Sequence, residues 1–357
     1  MKACVIGGGL TGLAAADELA GDSEVDLYEK RSRTGGCLSS YHIGDYAIEH
    51  YYHHCFSPDA AFFSLLDTHG LLSLLEWRNA STGYYADGKI HPLTTPLQIL
   101  RYPHLTLADK AKLALLTLRA KSIRTEDLDT VSAEQYIREN LGDGIYASFF
   151  EPLLNAKFGE NKGSVSAAWL VSRIAIRSDR GAAGERLGYI RGGFRNVIAA
   201  LEESIRGNGG RIRTQEPVTA LRRVNGRWEV NGSPYDAVIA TIPPQELARV
   251  GGTPVNPVPY QGAACVTLGL ARDCTEGIYW LNMKDPAPYG AVVAHTSFVP
   301  KDRYGEHIVY LASYFSGTLP QNIDRRMIAD FCSRFRVRED EIHWSRVAVD
   351  PYAGPVY

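Results

Sequence analysis

Three glycines near the amino terminus are the first residues whose spacing supports ligand chemistry. Gly7, Gly9 and Gly12 form a Gly-x-Gly-x-x-Gly series that also contains Leu10 and Thr11. In such a series the first glycine permits a tight turn, the second lets the backbone approach a pyrophosphate, and the third lets a helix pack closely on a strand. The free amides at the start of that helix favour an anion. The series therefore predicts a loop that binds the pyrophosphate of a dinucleotide.

A carboxylate lies at the distance from this series at which a ribose-binding acid is expected. Glu29 follows Gly9 by about 20 residues and ends a short apolar run, residues 25–29. A carboxylate there accepts hydrogen bonds from ribose hydroxyls, whereas a 2′-phosphate would require a basic partner. We therefore expect an unphosphorylated ribose, and not NADP, at this site.

Such a site needs a strand before the glycines and a helix after them. Residues 3–6 form an apolar run, residues 12–19 are rich in alanine, and residues 25–29 form the second run. This order predicts the front half of a βαβ unit. Farther along, a helix is predicted over 194–205, and strands are predicted over 218–224, 228–230, 237–241, 264–270 and 307–314.

The length and composition of the chain indicate a globular protein with at least two domains. Its 357 residues exceed the usual size of a single hydrophobic core, and 45% of them are hydrophobic. The net charge of −2 provides no field that would attract nucleic acid. The six cysteines form no Cys-x-x-Cys pair. We therefore expect reduced thiols, no zinc site and a cytoplasmic protein.

A second glycine pair distinguishes between flavin and nicotinamide dinucleotides. Arg33, Gly35 and Gly36 follow Glu29 closely. This run resembles the Arg-x-Gly-Gly segment of the protoporphyrinogen oxidase, phytoene desaturase and amine oxidase superfamily of flavoproteins. The resemblance implies FAD as the cofactor. The two glycines would let the loop pass close to the pyrophosphate and the ribityl chain, and Arg33 would neutralise phosphate charge.

Other segments resemble the same superfamily in the same order along the chain. Residues 189–194 and the helix after them look like the segment that leads these flavoproteins back into the FAD domain. Residues 216–218 resemble the strand whose valine backbone commonly meets the adenine, and residues 236–243 resemble the strand that closes over the adenosine side. Besides the glycines, Glu29 and Arg33, the cofactor-binding residues that we infer are Leu10, Thr11, Lys30, Cys37, Val218, Thr241 and Pro243.

These inferences predict an α/β protein with a Rossmann-like FAD-binding domain, a substrate domain with a mostly antiparallel sheet, and a helical insertion. We assign residues 1–52 and 186–250 to the FAD-binding domain, 53–94 and 251–349 to the substrate domain, and 95–185 to the insertion. Members of the superfamily normally carry a carboxyl-terminal glycine-bearing strand and helix that complete the flavin site. No residue in this sequence matches that segment. We therefore expect the FAD-binding domain to lack it and FAD binding to be weakened.

A histidine-rich stretch follows the second glycine pair, where the chain is expected to pass the flavin ring. His50 and His53 lie in this stretch and are candidate catalytic residues that hydrogen-bond the ring or the substrate, with a structural role as the alternative. Their spacing matches no helical zinc motif, so no metal is predicted. Lys157 lies in a segment that resembles protoporphyrinogen-oxidase-like proteins. It is the third candidate, either near the substrate or as a solvated lysine.

A basic, leucine-rich helix over residues 105–123 raises the question of membrane binding. Lys110 and Lys121 share one face, Lys112 and Arg119 share the opposite face, and leucines fill the positions between them. This distribution predicts a buried helix whose lysines extend to solvent. We therefore expect no membrane association. No stretch of the sequence reaches the ~18 apolar residues of a membrane span.

Taken together, the motifs predict an FAD-dependent oxidoreductase of the protoporphyrinogen oxidase and amine oxidase type. Its reaction would be hydride transfer from an unidentified small organic substrate to flavin N5. Two alternatives remain open. One is a flavoenzyme similar to UDP-galactopyranose mutase, which shares the first glycine motif, and the other is a non-catalytic binding protein without the segment that completes the flavin site. The sequence predicts neither the electron acceptor nor the oligomeric state.

Overall fold

The computed structural model describes residues 1–177, 185–251 and 259–356 of the chain. The helices in these ranges are, in chain order, α1 (Leu10–Ala20), α2 (Ala60–Thr68), α3 (Pro96–Arg101), α4 (Leu107–Arg119), α5 (Ala133–Asn140), α6 (Asp143–Ile145), α7 (Glu151–Phe158), α8 (Ala167–Arg177), α9 (Arg195–Gly207), α10 (Pro244–Gly251) and α11 (Ile323–Phe335).

The strands of the same ranges fall into one parallel sheet, one large mixed sheet and smaller sheets of two or three strands. They are β1 (Lys2–Ile6), β2 (Glu24–Glu29), β3 (Ser40–Ile43), β4 (Tyr46–Glu49), β5 (Leu75–Ala80), β6 (Thr82–Ala86), β7 (Lys89–Pro92), β8 (Glu185–Ile190), β9 (Arg211–Thr214), β10 (Leu221–Val224), β11 (Arg227–Val230), β12 (Ser233–Tyr235), β13 (Ala237–Ala240), β14 (Tyr260–Leu270), β15 (Trp280–Met283), β16 (Ala291–Ala294), β17 (His307–Phe315) and β18 (Ile342–Pro355).

The chain divides into two compact units, each formed by several separate segments. The first unit consists of Met1–His53, Asp59–Glu76 and Tyr189–Val258, and the second of His54–Pro58, Trp77–Gly188 and Pro259–Tyr357. The functional assignment of cofactor, substrate and insertion domains stays a prediction. The predicted insertion, 95–185, and the predicted substrate-domain segment, 251–349, include residues 178–184 and 252–258, which lie outside the described residues.

The first unit is built around a four-stranded parallel sheet in the order β13-β1-β2-β9. Ala3 of β1 pairs with Val25 of β2 on one side and with Ala237 of β13 on the other. The apolar residues of β1 are almost fully solvent-excluded, as expected for a parallel strand that is covered on both faces. α1 connects β1 to β2 and packs against α9. The predicted α/β class with a Rossmann-like βαβ unit is therefore confirmed.

Two predicted element starts in this unit differ from the observed ones by more than one residue. α1 begins at Leu10, directly after Gly9, rather than at Gly12. The strand predicted over 218–224 begins only at Leu221, so Val218 lies in the loop before it. The reason is that the backbone amides of Thr219 and Ala220 donate to the side-chain oxygen of Asn231, at 2.9 and 3.2 Å, rather than to a neighbouring strand.

The helix predicted over 194–205 corresponds to α9. Its periodic apolar residues Val197, Ile198, Leu201 and Ile205 are the buried ones. The helix starts one residue later than predicted because Phe194 serves as its N-cap. Apolar residues at this spacing form a single stripe along a helix, so the sequence alone identified the face that packs.

The second unit contains a seven-stranded sheet in the order β18-β14-β17-β16-β15-β6-β7. Its strand pairs are antiparallel except for the parallel pair of β15 with β6. The predicted runs 264–270 and 307–314 lie within β14 and β17. Met327, Phe331 and Phe335 of α11 are buried in the same core as β14. The predicted antiparallel-rich sheet is therefore confirmed.

Helices dominate the part of the second unit between β7 and β8. α3 to α8 lie in this stretch and share a hydrophobic core that includes Leu116, Ile137, Tyr146, Phe158 and Leu170. Thr95 and Thr106 begin α3 and α4 with capping boxes, in which each hydroxyl accepts from the third helical amide. This segment agrees with the helix-rich character predicted for 95–185.

The prediction that the helix over 105–123 is buried is wrong. Only Leu116 of α4 is buried, whereas Leu107, Leu115 and Leu118 are exposed. Because leucines are distributed around the whole helix, their pattern does not identify the packed face. None of the helices in the described ranges combines the length and apolar composition that are needed to cross a membrane.

A buried carboxylate ties together the strands on one side of the parallel sheet. Asp26 of β2 is 1% exposed and accepts hydrogen bonds from Arg211 Nε at 2.8 Å, the hydroxyl of Tyr235 at 2.8 Å and Arg213 Nε at 3.3 Å. Burial alone would raise the pKa of Asp26, but these donors outweigh it and lower the pKa. The ionised carboxylate therefore stabilises the fold.

We expect Asp26→Asn to lower the free energy of unfolding by about 2 kcal/mol at neutral pH, because charge-assisted hydrogen bonds are lost. A lowered carboxyl pKa contributes stability above the ordinary pKa of aspartate, about 3.9, and loses it as the pH falls further. The difference between wild type and variant should therefore shrink on acidification. Urea denaturation over a pH series measures this difference in the free energy of unfolding, with Asp22→Asn as the exposed control. Equal stability of wild type and Asp26→Asn at pH 7 would contradict this account.

Candidate functional site

The glycine turn between β1 and α1 has almost no free space. Gly7 adopts a φ of +107°, and its amide donates to the carbonyl oxygen of Tyr28 at 2.8 Å. A Cβ atom on Gly12 would lie 1.9 Å from the carbonyl oxygen of Gly7. No side chain fits at that distance, so the close packing of helix on strand requires glycine at position 12.

The amino-terminal end of α1 is open, in contrast to the crowded turn. Gly9 is the N-cap, and within the described ranges no side chain caps this end of the helix. A Cβ atom on Gly9 would meet nothing within 4 Å. The first amides of a helix have no partner inside it and carry partial positive charge. The backbone at Gly9, Leu10 and Thr11 therefore offers donors to an anion that approaches from solvent.

Glu29 is held beside this loop by two backbone amides. Its carboxylate oxygens accept from the amide of Gly8 at 2.8 Å and from the amide of Arg31 at 2.8 Å. An ionised carboxylate has about four acceptor positions, so each oxygen retains one for a further donor. The arrangement suits the two hydroxyls of a ribose.

The second glycine pair lies directly against the first loop. The amide of Gly35 donates to the carbonyl oxygen of Gly8 at 2.7 Å, and Gly35 forms a parallel bridge with Gly9. A Cβ atom on Gly36 would lie 3.1 Å from the α carbon of Gly9. Both glycines of the pair have positive φ values. A side chain at either position would obstruct the backbone contact between the two loops.

The residues that flank this pair lie at the surface. Arg33 and Cys37 are exposed. Lys30 is exposed and lies 3.7 Å from a carboxylate oxygen of Glu246. The cofactor-binding role of these three side chains stays a prediction.

Thr241 closes the other side of the glycine turn. Its hydroxyl donates toward the carbonyl oxygens of Ile6 and Gly7, at 3.0 and 3.2 Å. Pro243 follows and directly precedes α10. Gly7, Glu29 and Thr241 all lie at the carboxyl ends of parallel strands, where doubly wound sheets bind their ligands.

Val218 is a predicted cofactor residue that lies in a loop rather than in the strand predicted for it. It sits in the loop after β9 and packs against the buried cluster that contains Leu221 and Tyr235. The structure thus brings together the glycines, Glu29 and Thr241, while Val218 packs in a neighbouring loop.

Both candidate histidines of the first unit favour the neutral imidazole. Burial is the main cause that lowers the pKa of His50, with Arg31 and Arg33 adding to it, and burial lowers the pKa of His53. The ring of His50 packs on Tyr41, with 4.1 Å between ring centroids. Nδ1 of His53 donates to the carbonyl oxygen of Tyr51 at 2.8 Å, so Nε2 of the neutral ring is an acceptor.

Lys157, the third candidate, belongs to the second unit. Its ammonium lies over the ring of Trp169, 4.8 Å from the centroid, and 5.6 Å from the ring centroid of Phe158. Trp169 also lines an open cleft of about 480 Å³ together with Asp129, Ser164, Ser166, Ala168 and Ser172. The cation–π contact holds the lysine against Trp169.

Glu49 is a site residue that no sequence motif identified. Its carboxylate is buried and accepts from the amide of Phe194 at 2.8 Å and the hydroxyl of Tyr189 at 2.8 Å. Burial raises the pKa of Glu49 despite these hydrogen bonds. The residue anchors the Gly192–Gly193 turn to the end of β4. An acid that ends an apolar run directly before the histidine-rich stretch was the available signal.

Within the described ranges, no group of three or more His, Cys, Asp or Glu side chains is placed to hold a metal ion. The acceptors and donors described above are instead arranged as a dinucleotide requires. Open backbone amides face the position of a pyrophosphate, and a fixed carboxylate lies beside them. The residues present therefore fit a dinucleotide cofactor.

Comparison with known proteins identifies the family. A family model described as Flavin containing amine oxidoreductase matches residues 10–330 of the chain. The chain belongs to this family. Coproporphyrinogen III oxidase of Mycobacterium tuberculosis is 26% identical over 282 residues, covering 69% of this chain and 60% of that protein. The chain thus spans less than two thirds of the length of this relative.

Solved structures of the same fold cover the whole chain. A putative protoporphyrinogen oxidase from Exiguobacterium sp. 255-15 aligns with 100% of this chain and 87% of its own, with a TM-score of 0.75 and 20% identity. Reduced UDP-galactopyranose mutase aligns with 99% of this chain and 84% of its own, with a TM-score of 0.74 and 19% identity. At these identities the likeness shows a shared fold.

Membership of the flavin-containing amine oxidoreductase family confirms the superfamily predicted from the glycine motifs. It also supports FAD as the cofactor, since the family is defined by its flavin. The roles of individual site residues are not tested by these comparisons and stay predictions.

The buried carboxyl of Glu49 should make stability depend on pH. Its raised pKa means that the folded protein keeps a proton that the unfolded chain releases above the ordinary glutamate pKa, about 4.3. The free energy of unfolding of the wild type should therefore fall as the pH rises from that value through the raised pKa.

We expect Glu49→Gln to lack this decline, so that the variant gains stability relative to wild type as the pH rises. Urea denaturation between about pH 4 and pH 8 measures the two slopes. Glu203→Gln, on the exposed face of α9, is the matched control. Parallel pH profiles for wild type and Glu49→Gln would show that the carboxyl is not held protonated.

Proposed function

We propose that the chain forms the FAD-binding and substrate-binding parts of an oxidoreductase of the protoporphyrinogen oxidase and amine oxidase type. The observation that carries this proposal is the open amino terminus of α1, bordered by Glu29 and by the Gly35–Gly36 pair. In a family of flavin-containing enzymes, this combination of an open helix terminus, an acid and a glycine pair suits the binding of a flavin dinucleotide.

Each element of the site has a defined role in this proposal. The backbone from Gly7 to Gly12 receives the pyrophosphate, and Glu29 accepts the ribose hydroxyls. Gly35 and Gly36 allow the chain to pass close to the phosphates, with Arg33 supplying positive charge. Lys30 and Cys37 flank this segment, while Val218, Thr241 and Pro243 border the adenosine side.

When bound, FAD supplies a hydride acceptor at flavin N5. The protein's own contribution is to position the substrate and to hold protons. His53 keeps Nε2 available as a hydrogen-bond acceptor, because Nδ1 donates to Tyr51. His50 presents a neutral imidazole beside Arg31 and Arg33. We assign Lys157 to the substrate side, as a cation held by Trp169.

The substrate of this proposal is a small organic molecule with an oxidisable C–H or N–H bond. The relatives carry names that refer to coproporphyrinogen and protoporphyrinogen, and such porphyrinogens are therefore the first substrates to test, followed by amines. The proposed domain assignment is FAD binding by residues 1–52 and 186–250, substrate binding by 53–94 and 251–349, and a helical insertion at 95–185. The six cysteines are reduced thiols, which supports a cytoplasmic location.

Two glycine substitutions at opposite ends of α1 test FAD binding. Gly9 and Gly21 both have open space where a Cβ would be, and both have negative φ values that alanine adopts. We expect Gly9→Ala to change the free energy of unfolding by no more than about 1 kcal/mol. Because the new methyl group occupies the path of the pyrophosphate, FAD affinity should fall about tenfold or more. Gly21→Ala should bind FAD as the wild type does.

The measurement begins with the visible absorption spectrum of the purified chain, followed by titration with FAD and detection of the rise in melting temperature that binding produces. Equal FAD affinity of the Gly9→Ala and Gly21→Ala proteins would remove α1 from the site. A colourless wild type that binds no added FAD would favour the non-catalytic alternative for this chain. Flavin bleaching under anaerobic conditions, first with porphyrinogens and then with amines, tests turnover. Bleaching by none of these substrates would contradict the oxidoreductase assignment.

A further inference from the structure

A cluster of exposed leucines lies on α3 and α4 of the second unit. The exposed fractions are 54% and 52% for Leu97 and Leu100 of α3, and 72%, 48% and 81% for Leu107, Leu115 and Leu118 of α4. The other large apolar residues that are exposed in the described ranges are scattered over the chain, at Met1, Leu72, Val224, Ile239, Val347 and Val349. The leucine cluster is thus a local property of these two helices.

The exposed leucines of α4 lie on one side of the helix. At 100° per residue, Leu107, Ala111, Ala114, Leu115 and Leu118 fall within about 100° of arc, and all five are exposed. We call these five residues the outer strip. The opposite side carries Leu116, the one buried residue of the helix. α4 therefore has two apolar sides, of which one packs against the protein and the other faces solvent.

Basic residues border the outer strip on both sides. At 100° per residue, Lys110 lies along one edge, and Lys112 and Arg119 lie along the other. Lys121 lies in the 3₁₀ turn that directly follows the helix. Two of these ammonium groups are held in place, since Lys110 Nζ donates to the carbonyl oxygen of Leu100 at 2.7 Å and Lys112 Nζ to that of Leu141 at 2.8 Å. The positive charges therefore stay at the edges of the apolar strip.

The surrounding segment is strongly basic, unlike the chain as a whole. Residues 96–125 contain six basic side chains, at positions 101, 110, 112, 119, 121 and 124, and one acidic side chain, Asp109. The net charge of this segment is thus +5 (6 − 1), against −2 for the full chain. The carboxylate of Asp109 accepts hydrogen bonds from Thr106 in the capping box of α4, so it lies at the start of the helix.

We propose that the outer strip binds the surface of an anionic phospholipid membrane. The leucines would enter the boundary between headgroups and acyl chains, and the flanking basic residues would contact the headgroup phosphates. An amphipathic helix that lies in a membrane interface combines these two features. The 13 residues of α4 span about 20 Å at 1.5 Å per residue, which is short of the ~30 Å hydrocarbon core. The helix lies on the membrane and does not cross it.

Two observations favour lipid over a protein partner. Lysine is depleted at protein–protein interfaces, yet three of the four basic residues along and directly after α4 are lysines. The excess positive charge extends beyond the strip to Arg101 and Arg124, which suits an extended anionic surface. The sequence-based expectation of no membrane association assumed that α4 was buried. Because α4 is exposed, that assumption no longer argues against membrane binding. The proposal does not depend on FAD binding.

Vesicle flotation with the 357-residue chain tests the proposal. The vesicles consist of phosphatidylcholine alone or of phosphatidylcholine mixed with phosphatidylglycerol. We expect binding to the mixed vesicles only, with an affinity that falls as salt is added. The double variant Leu115→Gln/Leu118→Gln should lose about tenfold or more in the partition constant. The double variant Arg119→Gln/Lys121→Gln should lose about fivefold for each charge removed.

The matched control is Val347→Gln/Val349→Gln, which makes the same kind of change at exposed residues of β18 and should bind as the wild type does. Thermal unfolding of all variants checks that they remain folded. Equal binding to neutral and mixed vesicles, or wild-type binding by the leucine variant, would overturn the proposal. So would the absence of vesicle binding together with a concentration-dependent dimer that the leucine substitutions abolish, because the strip would then join two copies of the chain.

Discussion

The carbonyl oxygen of Gly7 and the α carbon of Gly12 lie so close together that a single added methyl group would collide with the backbone. This contact brings the start of α1 against the end of β1. The helix amides consequently open toward the carboxyl edge of the parallel sheet, where Glu29 and Thr241 also lie. The ligand-binding features of the first unit therefore depend on a steric requirement between two backbone atoms rather than on any particular side chain.

Two carboxylates of β2 divide structural and ligand-binding tasks between them. Asp26, in the middle of the strand, is enclosed by Arg211, Arg213 and Tyr235 and fastens the strand to its neighbours. Glu29, at the end of the same strand, accepts from amides of the adjacent loops and keeps acceptor positions for a ligand. The difference follows from position, because a strand interior faces other strands while its carboxyl end faces the crevice.

The features that the sequence predicted correctly depend on short-range constraints. The glycine spacing requires particular backbone conformations, and the apolar stripe of α9 identifies its own packed face. The features it missed depend on contacts between distant residues. Glu49 is buried through partners at Tyr189 and Phe194, and β10 starts late because Asn231 takes the amides before it. The exposure of α4 likewise depends on which neighbours the helix acquires, and a helix with leucines on every side gives no indication of that choice.

The parallel sheet of the first unit has a consequence for the order in which the protein can assemble. β1 and β2 are separated by a single helix, so they can pair as soon as both are synthesised, but the other neighbour of β1 is β13, with Ala3 opposite Ala237. Pairing β1 with β13 closes a long loop, which is slow, and it cannot occur until the later part of the chain has been synthesised. During synthesis, the edge of β1 that later pairs with β13 therefore stays open. The segments of the second unit that lie between β1 and β13 in the sequence emerge from the ribosome during this time. A nascent chain in this state presents an unpaired strand edge, and its protection against aggregation falls to chaperones or to rapid completion of translation.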